Sequence, residues 1–256
     1  MEQNESPTQT TESSASADVS VGTLITNVFA SPREAFDALA GAEVKHMRWV
    51  LPLLITLVVM VIGIYLITSN ATFHQQMQDA QMSAMQKQVD EGKMTQEQAD
   101  RAADMMGSGG KMFLIIGSIG GSIFVLLMFV VGALFLWLAG KFVLKSPAGY
   151  PKYLEVYGLS AWVGIGGAII TFMLMIGMNT MYASASGALV VLSDFDPSNT
   201  THKLLKALDV FAIWQAVVVG IGLSAVAKKE NGPGIGVALG LWVLWVAVSV
   251  GLGFGR

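Results

Sequence analysis

Five apolar runs, each about as long as a bilayer is thick and nearly free of charge, divide this 256-residue chain. They are Trp49–Thr68, Met112–Ala139, Val156–Met178, Ala207–Ala227 and Gly234–Gly255. A helix needs roughly 20 apolar residues to cross a hydrocarbon core of ~30 Å. The runs therefore predict an all-α polytopic membrane protein, a bundle of five transmembrane helices. Composition agrees: 13% of residues are charged, where about a quarter is usual in soluble domains. The chain has no cysteine, which excludes disulfides, thiolate nucleophiles and Cys-built metal sites. A net charge of −3 argues against nucleic acid as a partner, because such proteins carry a clustered basic surface.

The polar stretches set the expected organisation. Residues 1–20 are rich in Ser, Thr, Gln and Glu and read as a disordered tail, since they bury too little apolar surface to offset chain entropy. They contain no short apolar stretch before a cleavage site, so Trp49–Thr68 is expected to remain as the first span. Residues 21–48 form an amphipathic N-terminal segment. Within it Ser31 reads as a helix cap, Pro32 as the first helical position and Glu34 as the closing partner of a capping box. Phe36 and Leu39 share a face, so this helix is expected to lie in the membrane interface.

Between the first two spans, residues 71–107 read as a polar helical hairpin within the 49–256 membrane domain. Phe73, Met77, Ala80 and Ala84 mark one stripe, widened by Met82, Met85 and Val89. Gly92 reads as a stop, Thr95–Gln98 as a second capping box, and Gly107, Gly109 and Gly110 as the end of the second helix. Met77, Met82, Met85, Met94, Met105 and Met106 have the thioethers that suit Cu(I), but their spacing tracks the helix stripe and reads as packing. No cofactor or metal is expected.

Orientation follows from Lys and Arg beside the spans. Arg33, Lys45, Arg48, Lys141, Lys145, Lys152, Lys228 and Lys229 fall on one side, which places the N-terminus in the cytoplasm and the C-terminus outside. Inside the runs the ionisable residue is Asp209, near the start of the fourth, and it reads as structural, capping a helix or solvated, ahead of ion coupling. Gln215 is expected to make an interhelical hydrogen bond worth on the order of 1 kcal/mol. Gly117 and Gly121 in the second run, and Gly236 and Gly240 in the fifth, are small-xxx-small pairs that suit close helix packing or a seam between copies. No Ser/His/Asp set, carboxylate pair or metal-ligand spacing supports catalysis.

Three segments carry a family resemblance: Val28-Phe29-Ala30-Ser31-Pro32-Arg33-Glu34-Ala35-Phe36, Tyr153-Leu-Glu-Val-Tyr157-Gly158-Leu-Ser160, and Leu208-Asp209-Val-Phe211-Ala-Ile-Trp214-Gln215 leading to Gly220-Ile-Gly222-Leu. In order and placement they resemble a bacterial member of the Yip1 domain family over roughly Leu24–Gly253. The resemblance implies five spans with a cytoplasmic N-terminus and an inner-membrane location. It singles out Ser31, Pro32, Phe36, Tyr157, Gly158, Ser160, Asp209, Trp214 and Gln215 as candidate functional positions. Eukaryotic members engage prenylated Rab-type GTPases. This chain has Lys45-His-Met-Arg-Trp49 in place of their Asp-Leu-Tyr-Gly-Pro motif and keeps only Tyr157-Gly158 of the second, which argues against Rab binding. The expected role is a non-enzymatic scaffold or membrane organiser that contacts the lipid bilayer and associates with itself or another membrane protein. The alternative is a transporter or channel for a small or lipid-like solute.

Overall fold

The computed structural model describes residues 20–108 and 110–252. The tail expected over the first residues, Gly109, the last residues of the fifth run and the side chains of Met105 and Met106 lie outside that description. The described helices are α1 (Val21–Ala30), α2 (Pro32–Gly41), α3 (Met47–Ser69), α4 (Ala71–Asp90), α5 (Gln96–Ser108), α6 (Gly110–Phe142) and α7 (Tyr150–Met178). A 3-10 segment (Gly187–Asp194) follows, and then α8 (Thr200–Ala207), α9 (Val210–Val226) and α10 (Asn231–Leu252). No strand is present among the described residues; a single antiparallel bridge joins Ser186 and Asp209.

Among the described residues four helices are long and apolar enough to cross a membrane: Met47–Ser69, Gly117–Phe142, Tyr150–Met178 and Asn231–Gly251. The fourth expected run does not form such a helix. Its helix α9 has 17 residues, because Leu208 leaves helical geometry and Asp209 caps a new start. Every residue from Val218 to Val226 is buried, so α9 is apolar all round because protein covers it on every side over that stretch. It packs between α7, α10 and α2, and the longer helices turn apolar residues outward, among them Val58 and Ile62 of α3, Ile123 and Leu127 of α6, and Leu244 of α10. The core gathers where α1, α2, α7 and α9 meet.

The N-terminal segment packs into that core. Leu24, Val28, Ala35, Phe36 and Leu39 are buried with Val156, Val163 and Leu223, and the Phe29 ring meets Trp214 edge-on at 5.8 Å. The expected capping box at Ser31 is absent: Ser31 makes no side-chain cap bond. Its N–H donates to Asn27 O at 2.8 Å and its carbonyl accepts from Ala35 N at 3.2 Å, so one residue ends α1 and starts α2. Pro32 holds the first helical position, as its sequence context predicts.

The polar block is the expected hairpin. Asn70 alone separates α3 from α4 and accepts from Phe73 N at 3.1 Å. Gly92 takes a left-handed φ of +69°, open to glycine without a Cβ penalty. Thr95 and Gln98 close the second capping box: Gln98 N donates to Thr95 Oγ1 at 3.3 Å and Thr95 N donates to Gln98 Oε1 at 2.9 Å. The base of the hairpin docks on the chain after α7. Gln76 Oε1 accepts from Met181 N at 2.8 Å and Thr180 Oγ1 at 3.3 Å. Phe73 is buried there, while Met82, expected on the packed stripe, is exposed.

Candidate functional site

Three charged residues meet inside the protein at the end of the bundle where the basic residues collect. Glu155 and Arg48 have almost no exposed side-chain surface, and Lys152 little. Glu155 Oε1 accepts from Arg48 Nη1 at 3.2 Å and from Lys45 N at 2.8 Å; Glu155 Oε2 accepts from Lys152 Nζ at 2.7 Å. Lys152 Nζ also donates to Leu39 O at 3.0 Å and Ala42 O at 2.9 Å, and Arg48 Nη1 to Glu43 O at 2.8 Å.

The partners explain the burial. The chain between α2 and α3 has backbone groups that no helix satisfies, and α7 supplies the missing donors and acceptor. A lysine at the carbonyl end of α2 and a carboxylate beside the start of α3 both complement the helix dipoles. Separating such a pair leaves a buried charge uncompensated, at a cost of about 3–5 kcal/mol. Among the described residues, Arg48 Nε is the one guanidinium nitrogen buried without a hydrogen-bond partner. The cluster is a splice that holds the N-terminal segment on α7.

The second motif is built around this splice. Gly158 lies against α3: a methyl group there would stand 2.6 Å from Trp49 Cα and 2.7 Å from Trp49 Cβ. Glycine is the residue that lets the two backbones come this close. Tyr157 covers Gly132 of α6 and tilts against Phe129 at 5.0 Å, which stacks on Trp49 at 6.3 Å. Ser160 is buried and donates to Val156 O at 2.8 Å within its own helix. Phe36 of the first motif presses on Gly222 of α9 beside Val156. Phe36, Tyr157, Gly158 and Ser160 thus share one packed region with Arg48, Lys152 and Glu155, while Ser31 and Pro32 form its helix junction.

The α9 positions lie elsewhere. Asp209 caps the helix, its Oδ1 accepting from Phe211 N at 2.9 Å and Ala212 N at 3.0 Å. Trp214 packs on Phe29 and Phe211. Gln215 makes no hydrogen bond across the interface; its Oε1 occupies the space left by Gly164, where a Cβ would lie 2.5 Å away. The expected packing glycines separate. Gly121 faces Met60 at 3.5 Å, but Gly117, Gly236 and Gly240 have nothing within 4 Å of a notional Cβ. The close crossing of α9 and α10 occurs instead at Gly220 and Gly234, locked by Ser224 Oγ, which donates to Asn231 O at 3.1 Å and accepts from Gly234 N at 3.0 Å.

Sequence reasoning missed the ion cluster because the third run begins at Val156, just beyond Lys152 and Glu155, and the helix begins earlier, at Tyr150. The available signal was a Lys and a Glu three apart at the threshold of a span, inside a family motif. An open cleft nearby, lined by Arg33, Asp37, Lys228, Lys229, Glu230 and Asn231, is partly self-satisfied. Arg33 bonds Asp37, Lys229 O and Asn231 Oδ1. Among the described residues no group of His, Cys, Asp or Glu is arranged to hold a metal.

Four helices long and apolar enough to cross a membrane, packed with a shorter buried one and joined by a charged splice at one end, define an integral membrane protein of the polytopic α-helical class. The Yip1 domain model matches residues 26–253, nearly the whole chain, and the protein belongs to that family. No curated protein and no solved structure matches it.

Proposed function

We propose that this protein is a non-enzymatic scaffold of a bacterial inner membrane, crossing five times with its N-terminus in the cytoplasm and its C-terminus outside. The α4–α5 hairpin carries the reading. It is fixed to the bundle at its base through Gln76, while polar residues such as Gln78, Asp79, Gln86, Gln96, Glu97 and Arg101 and the apolar Met82 stay exposed beyond it. A rigid, solvated arm with an adaptable thioether at its surface suits capture of a second protein, another membrane protein or a further copy of this chain. The side assignment is supported by Arg33, Lys45, Lys141, Lys145, Lys228 and Lys229 at the opposite end.

Crosslinking in membranes followed by affinity purification and mass spectrometry tests it, comparing the full chain with one in which Met82–Ala103 is replaced by a short Gly-Ser linker. This excision spares Phe73 and Gln76. A partner recovered with the full chain and lost with the excised one is the expected result; equal recovery with both chains sinks the proposal.

The break between α8 and α9 favours one second reading, transport of a small or lipid-like solute, because discontinuous helices are where transporters place their sites. Flux into proteoliposomes that falls in Asp209→Asn, a change that keeps a good cap, would support it. Absence of flux with the native chain under varied gradients would remove it.

A further inference from the structure

Close contacts between helices fix the level at which α9 begins. α3 and α7 run parallel, since Gly158 faces Trp49 and Gly63 faces Phe172, and in that register Ser69 and Met178 end together. α9 runs antiparallel to α7, with Gly222 against Val156, Gln215 against Gly164 and Phe211 against Gly167. Asp209 therefore lies near the level of Ile169. From there α7 continues to Met178, about 14 Å further at a helical rise of ~1.5 Å per residue. The contact of Gly220 with Gly234 sets Asp209 near the level of Trp245, with the rest of α10 still ahead.

The chain after α7 comes back down to that level. Val210 N donates to Ala185 O at 2.9 Å and Gly187 N to Leu208 O at 3.2 Å. Non-helical backbone at membrane depth is tolerated where protein satisfies it, and much of this stretch has protein partners. Ser184 and Ser186 are buried and share a hydrogen bond of 2.9 Å, and Ala188 N donates to Ser186 Oγ at 3.2 Å. The outward side is mainly apolar: Val190 is 86% exposed, and Leu189, Leu204, Leu208 and Val210 are exposed with it, while the exposed Lys206 lays its Nζ 5.9 Å over the Tyr182 ring and 5.8 Å over the Phe195 ring. Leu208 and Val210 lead directly into the apolar surface of α9. Polar residues return from Ser193 through Thr201, at the top of the loop.

We propose that Tyr182–Asp194 is a re-entrant segment that dips into the lipid leaflet on the hairpin side, to the level of Asp209, and returns, with Leu189 and Val190 against acyl chains. α8 and α9 are then the two parts of one broken span. The inference rests on the five-crossing reading, through the requirement that α8 and α9 together traverse the bilayer.

The cysteine-free chain makes the test direct. Nitroxide labels are placed singly by Val190→Cys, Ser193→Cys and Leu244→Cys in the full protein reconstituted in phosphatidylcholine–phosphatidylglycerol vesicles. Collision rates with oxygen and with a water-soluble nickel chelate are then compared. Val190 is expected to resemble the lipid-facing Leu244, with an oxygen-to-nickel ratio several-fold above that at Ser193. In parallel, Ser193→Cys and Glu230→Cys are expected to react with an impermeant maleimide from opposite sides. Opposite-side labelling with a nickel-accessible Val190 overturns the re-entrant segment and leaves the topology standing. Opposite-side labelling with Val190 shielded from both reagents also overturns it, because protein then covers the surface. Same-side labelling overturns the topology and the inference together.

Discussion

Glu155 is the acceptor around which the two basic side chains and the α2–α3 turn are arranged. Glu155→Gln keeps the volume and removes the charge, leaving Arg48 and Lys152 buried without a counter-ion. The expected loss is about 3–5 kcal/mol, read as a fall in the thermal midpoint in detergent, and a midpoint within error of the native one would refute the splice. Gly158 and Gly236 are both glycines within helices, yet their surroundings differ. Gly158→Ala would push a methyl group into the Trp49 backbone, at an overpacking cost of about 1–3 kcal/mol. Gly236→Ala meets nothing and is expected to leave the midpoint unchanged or slightly raised. Thermal melts of the two variants side by side make the comparison.

At the scale of the element, the short helix α9 is the departure from the expected five spans. Its start depends on Asp209, whose carboxylate takes the two N–H groups that no preceding turn can satisfy. Asp209→Ala is expected to destabilise by about 1 kcal/mol and Asp209→Asn by much less, because Asn caps nearly as well as Asp. Amide exchange at Phe211 and Ala212 reports the difference, and equal loss in both variants would show that charge rather than capping matters. The opposite case is α5, whose start at Thr95 and Gln98 was legible from four residues. A capping box is a local bargain between a side chain and its own backbone. At Ser31 the same pattern failed because α1 arrives directly before it and takes the N–H that the box requires.

For the whole molecule, the hairpin and the bundle divide the work. The core lies where α1, α2, α7 and α9 converge, and none of its residues among those described comes from α4 or α5; Phe73 is buried apart from it. The chain with Met82–Ala103 excised is therefore expected to insert and to melt within a few degrees of the full protein. A collapse of the midpoint, measured by the same detergent melt, would show that the arm is part of the bundle's stability. The N-terminal segment behaves differently: Leu24, Val28, Phe36 and Leu39 are core residues, where the sequence reading placed the helix of Phe36 and Leu39 at the interface.

Sequence alone determined the class of protein, its all-helical make-up and the turn inside the hairpin, since apolar run length, the Thr95–Gln98 capping box and the left-handed Gly92 act over one or two turns. The family was legible too, in segments such as Tyr153–Ser160. Only the tertiary structure decided which charges are structural, where α9 begins and which glycines touch. Arg48 and Glu155 are 107 positions apart, and Gly158 is a contact only because α3 runs beside it. Hydropathy scores each residue against lipid or water. It cannot register that α7 offers a carboxylate to an arginine, or that the chain after α7 turns back to meet Asp209. Those outcomes depend on the burial and pairing that assembly creates.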